Sequence, residues 1–144
     1  MSESMQPAVH VHRLRVRYCE TDQMGVAHHG SYVDWLEEAR TEWMRSIGRS
    51  YRSMEERGLY LAVVRMSIRF LESVRYEDLI RVEIAAPELG RASVELGYRL
   101  LLEEDAVTGR AGGPVAEAVT RLAVLNEARR PIRVPTGLFD PGGA

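Results

Sequence analysis

Glu20, Asp22, His28 and His29 crowd into one short stretch between Tyr18 and Tyr32, with Gly25 and Gly30 among them to permit tight backbone turns. A carboxylate can serve as base or nucleophile, and a histidine can give or take a proton. The stretch lies just ahead of a helical pattern, where unpaired backbone N–H groups and the helix dipole favour a developing negative charge. A carboxylate beside such a helix end supplies the minimum parts of an acyl-transfer site, with water aimed at a carbonyl.

Other chemistries find little support. All 19 basic residues are arginine, so Schiff-base and pyridoxal chemistry and a P-loop lysine are excluded for want of an amine. No GxSxG elbow occurs. His28 and His29 invite a metal reading with His10 and His12, but adjacent histidines point apart and no cysteine or carboxylate at ligand spacing completes a shell, so no metal is expected. His10 and His12 read as solvated residues at a strand edge. The lone Cys19 falls opposite Tyr18 in strand alternation and reads as a packing residue.

A net charge of −2 gives no general attraction for nucleic acid. Arg13, Arg15 and Arg17 form a basic stripe without interleaved aromatics, which suits a solvated sheet face or a subunit contact better than a nucleic-acid surface. No apolar run approaches the ~18 residues of a membrane span, and residues 1–10 lack a basic start followed by an apolar run, so a cytoplasmic protein without membrane contact is expected.

At 144 residues one domain is expected, with irregular tails over 1–10 and 132–144. Alternation from Arg13 to Tyr18 predicts a half-buried strand. Tyr32, Leu36, Ala39, Trp43 and Ile47 then recur at helical spacing, which predicts a helix from about Tyr32 to Ile47. Ser31 and Asp34 resemble a capping box, and Gly48 supplies a left-handed stop. Trp35 falls off the apolar stripe, so it is expected partly exposed, as part of a partner surface.

A short helical turn follows over Tyr51–Arg57, closed by Gly58. Four period-2 segments come after it, Tyr60–Leu71, Asp78–Ala86, Arg91–Glu103 and Val115–Asn126, with Gly97 a bulge or close-approach point in the third. Short connections favour antiparallel neighbours, and one long amphipathic helix needs a concave sheet face. The expected class is α+β, a curved antiparallel sheet of about five strands wrapped around one long central helix.

The stretch "YCETDQMGVAHHGSYVDWLEEARTEWMRSIG", followed by "LAVVRMSIRFLESVRYEDLIRVE", closely resembles hot-dog-fold acyl-CoA thioesterases of the 4-hydroxybenzoyl-CoA thioesterase type, over roughly Arg13 to Pro131. The resemblance implies that Asp22 is the catalytic carboxylate, acting as general base or as nucleophile. It implies that the backbone N–H of His29, at the helix start, polarises the thioester carbonyl. The His29 ring would orient water or assist the leaving thiolate, and Tyr18 would line the same pocket. Some relatives carry an aromatic residue in place of His28 and Ala-Gly or Pro-Ala in place of Gln23-Met24, changes that bear on the shape of the acyl pocket.

The implied substrate is an acyl-CoA, with coenzyme A part of the substrate and no separate cofactor. Gly30, at the helix start, and Arg65, Arg69 and Arg91, on or near strand ends, are candidates to hold it; the arginine fork suits its phosphates. Met24, Val26, Tyr60 and Met66 are candidate liners of the acyl pocket. Subunits of this type resemble one another in pairing edge to edge, which implies a homodimer and often a tetramer of two dimers. Two other readings stay open, an acyl-carrier-protein thioesterase and a non-catalytic acyl-CoA binding module.

Overall fold

The computed structural model describes residues 7–141. Strand β1 (Ala8–Arg15) leads through a 3-10 turn at Tyr18–Glu20 to helix α1 (His29–Ser46) and a short helix α2 (Tyr51–Glu56). Strands β2 (Tyr60–Phe70), β3 (Leu79–Ala85), β4 (Glu88–Leu89), β5 (Ser93–Glu104) and β6 (Pro114–Leu125) follow. The described residues form one six-stranded antiparallel sheet in the order β1-β3-β5-β6-β2, with β4 paired to β5. It encloses α1 on one face, as the hot-dog expectation requires.

The helix buries the apolar stripe read from its spacing. Tyr32, Leu36, Ala39, Trp43 and Ile47 pack against Ile80, Val82, Ile84, Leu96, Leu100, Leu122 and Val124, the inward residues of β3, β5 and β6. At ~25 cal/mol per Å² of apolar area removed from water, this contact is the main force holding the sheet curved around α1. Gly48, at φ +80°, ends the helix in the left-handed conformation that an L side chain resists.

Several boundaries differ from the sequence reading. Strand β1 starts within the segment read as a tail and ends at Arg15, short of Tyr18. The chain leaves the sheet there because the Glu20 side chain accepts the Arg17 N–H at 2.7 Å and closes a turn. Helix α1 begins three residues earlier than expected. Its cap is His28, not Ser31, because the His28 N–H is held by the Glu20 carbonyl at 3.0 Å. Gly97 makes no bulge; it pairs in register with Val119, and the irregularity falls at Leu100/Leu101. A side chain at Gly97 would meet its nearest neighbour, Ala85 Cβ, at an ordinary 3.9 Å.

Segment 132–141 is irregular, yet Leu138 and Phe139 are buried and Phe139 stacks on Trp43 with ring centroids 6.0 Å apart. Residues 1–6 and 142–144 of the expected tails lie outside the described residues.

The outer face of the sheet carries the arginine stripe, now paired with acids. Arg13 and Arg81 both reach Glu103, at 2.7 and 3.1 Å, and Arg81 also meets Glu83 at 3.0 Å. Arg121 meets Glu95 at 2.8 Å. This is a solvated face of ion pairs, each worth little alone.

Candidate active site

Asp22 sits at the first corner of a tight hairpin. Its N–H bonds the Val26 carbonyl at 2.9 Å, its carbonyl accepts the Gly25 N–H at 2.9 Å, and Thr21 bridges Ala27. Gly25 takes φ +81°, which is why a residue without Cβ stands there. The Ala27 N–H bonds the Val74 carbonyl at 2.9 Å, which ties the hairpin to the loop after β2.

Both hydrogen bonds to the Asp22 carboxylate fall on Oδ1, from the N–H groups of Met24 (2.9 Å) and Val26 (3.4 Å). Among the described residues this leaves Oδ2 open to water or substrate, and Asp22 in no ion pair.

Asp22 shares a cavity of about 570 Å³ with the start of α1. Its walls include Met24, Val26, His28, His29, Tyr32 and Phe70. The His29 ring stacks on Phe70 at 4.3 Å, and Tyr32 meets the same Phe70 edge-on at 5.0 Å. The His29 ring is therefore part of the wall, while its N–H belongs to the helix turn that has no acceptor within the helix. Burial pushes the Tyr32 phenol above its ordinary pKa, so it stays neutral beside the carboxylate.

Glu20, the other carboxylate of the junction, is buried at 6% exposure and serves structure. Its Oε1 accepts the Arg17 N–H, while Oε2 accepts the Arg17 guanidinium at 3.1 Å and the Trp35 indole N–H at 3.0 Å. Its carbonyl accepts the His28 N–H and, at 2.9 Å, the Ser31 hydroxyl. Trp35 is accordingly 1% exposed, which corrects its reading as a partner surface. The sequence offered a signal that was missed: a tryptophan beside an apolar stripe needs an acceptor for its N–H, and Glu20 was at hand.

The other expected residues divide. Gly30 stands in the first turn of α1, where an added Cβ would meet the His28 ring at 3.5 Å. Met24 and Val26 line the cavity, whereas Tyr60 lies in a separate cleft under α2 and Met66 packs against the core. Tyr18 does not share the cavity with His29. It is 78% exposed, meets Tyr76 edge-on at 5.8 Å, and lines a second cavity of about 690 Å³ on the other side of Asp22.

Cys19 is exposed, not packed. His10 and His12 face α1, where His12 Nε2 meets Glu38 at 2.6 Å, so they are not simply solvated. Arg65 and Arg69 alternate with Met66 and Phe70 and so point to the outer face, away from the cavity; Arg69 lies 3.9 Å from Glu117. Arg91 precedes β5 at the far end of the sheet. Ser93 pairs with Ala123, seven residues along β6 from the Ala116 that pairs with Phe70, roughly 24 Å at 3.4 Å per residue. One protomer does not gather these arginines at the cavity.

The sequence profile of the thioesterase superfamily matches residues 24–108, more than half of the 144. The chain belongs to the thioesterase superfamily. The profile starts just after Asp22, so that residue lies outside the matched segment. This thioesterase is 32% identical over 89 residues to an acyl-CoA thioesterase of Haemophilus influenzae, a match spanning 61% of this chain and 65% of the relative, less than two thirds of its length.

Among solved structures, the thioesterase is similar to a hypothetical protein from Thermus thermophilus, with 32% identity and a TM-score of 0.78 over 90% of this chain and 94% of that one. It is also similar to a DHNA-CoA thioesterase from Staphylococcus aureus, with 28% identity and a TM-score of 0.75 over 86% and 79% of the two chains. The fold is thus the hot-dog fold. No helix among the described residues is long and apolar enough to cross a membrane.

Proposed function

We propose that this thioesterase hydrolyses an acyl-CoA to a free carboxylic acid and coenzyme A. The observation that carries the reading is the shared cavity of Asp22 and the start of α1. Asp22 either takes a proton from water as its oxygen attacks the thioester carbon, or attacks that carbon itself and is then released by water. The N–H groups of His29 and Gly30 hold the oxyanion, the C–S bond breaks, and the thiolate leaves and is protonated. A thioester carbonyl is weakly conjugated and its leaving group good, so one carboxylate and one oxyanion site suffice.

The proposed assembly is a homodimer, with a tetramer built from two of them. Trp35 no longer supports it, but β2 does. It is the last strand of the sheet, its outer edge carries no partner among the described residues, and Val64 is 59% exposed there. We place the enzyme in the cytoplasm, since its one cysteine forms no disulfide for an oxidising compartment to protect.

Thiol release from a panel of acyl-CoAs tests the reading. Asp22→Asn should keep its circular dichroism and lose at least about 100-fold in kcat, a scale set by single-group losses in acyl transfer. An unchanged rate removes Asp22 from the mechanism, and saturable acyl-CoA binding without turnover by the wild type would make the protein a binding module instead.

A further inference from the structure

We propose that Glu20 is the positioning residue of this site, fixing the Asp22 hairpin against the start of α1 so that carboxylate and oxyanion donors face one carbonyl. This role rests on the reading of Asp22 given above.

Three separate pieces meet on Glu20. Its side chain holds the end of the first strand segment through the Arg17 N–H at 2.7 Å. Its carbonyl holds the cap of α1 through the His28 N–H (3.0 Å) and the first helical turn through the Ser31 hydroxyl (2.9 Å). Its Oε2 reaches the second turn through the Trp35 indole at 3.0 Å. Asp22 follows two residues later on the same backbone, with only Thr21 between.

Trp35 carries the constraint into the cavity wall. It packs on Tyr32 with ring centroids 4.7 Å apart, and Tyr32 meets the Phe70 on which His29 stacks. Glu20 does not touch the reacting atoms: it is 6% exposed and three donors already occupy its carboxylate. Hydrogen bonds to a charged acceptor are about twice as strong as neutral ones, so removing that charge loosens the ties to Arg17 and Trp35 together, while the backbone carbonyl keeps those to His28 and Ser31. A misplacement of about 1 Å costs on the order of 100-fold in a reaction that depends on orientation.

A kinetic double-mutant cycle separates positioning from simple loss of stability. Glu20→Gln keeps the shape and should lower kcat of folded enzyme about 30-fold with KM within about threefold, while Asp22→Asn lowers it at least about 100-fold. Because Glu20 acts through Asp22, the double variant should match Asp22→Asn alone within about threefold. If Glu20→Gln does not fold, Trp35→Phe, which removes one donor, should lower kcat about fivefold with the same non-additivity. Losses that multiply, or a Glu20→Gln enzyme with full kcat, overturn the role. A wild type that releases no thiol overturns the functional reading and this role together, whereas normal wild-type turnover with an additive cycle overturns this role alone.

Discussion

Tyr98→Phe tests what holds the far half of α1. Arg40 lies in the core at 5% exposure and, among the described residues, in no ion pair with a carboxylate; its Nη1 donates to the Tyr98 hydroxyl at 3.2 Å and its Nε to the Tyr51 hydroxyl at 2.8 Å. Burial is the strongest influence and opposes its charge, yet the two phenols together outweigh it and hold the guanidinium above its ordinary pKa. The Tyr98 oxygen also bonds the Thr120 hydroxyl at 2.8 Å, and Thr120 is fully buried.

Removing that oxygen strands two buried partners at about 1–3 kcal/mol each, so about 3 kcal/mol in total is expected. For a chain of this size that is a drop of roughly 10 °C in Tm. Arg40 lies eleven residues beyond His29, roughly 16 Å along the helix, so kcat on a short acyl-CoA should stay within about twofold at 25 °C. Differential scanning fluorimetry with a parallel rate assay reads both quantities. A Tm loss under about 3 °C would refute the argument that the phenol is what makes a core guanidinium tolerable.

Two further outcomes are expected. Burial first, and His12 second, hold His10 below its ordinary pKa, with Glu42 partly opposing. His10 faces His12 on its own strand, Ile84 across β3, and Glu42 on α1, beside the Glu38 that His12 engages. A histidine lowered on folding gives stability present above about pH 6.5 that is lost as the pH falls through the folded value. Tm should fall between pH 7.5 and 5.0, and His10→Leu should flatten that slope; an unchanged slope counts against the assignment. In solution, light scattering at micromolar concentration should give at least twice the mass of one chain, and a monomer would count against pairing through β2.

The sequence made the strands and the main helix legible because their periods are enforced by burial on one face. Leu36, Ala39, Trp43 and Val82 all fall where spacing places them. It misread the places where a side chain overrides the period. Glu20 draws Arg17 out of the strand and Trp35 into the core, so the strand ends early and the tryptophan is hidden. The Asp22–Gly25 turn was legible because it depends on local chemistry. The placement of Arg65 and Arg69 away from the cavity was not, because which face of β2 turns inward depends on Phe70 stacking against α1, a contact between distant segments.

The exposed Cys19 follows Tyr18, immediately precedes Glu20 and is the chain's only thiol. A maleimide dye would therefore attach at one site without any substitution, three residues from Asp22. Its emission would follow how the hairpin responds when a ligand enters, turning an unremarkable surface atom into a native optical gauge.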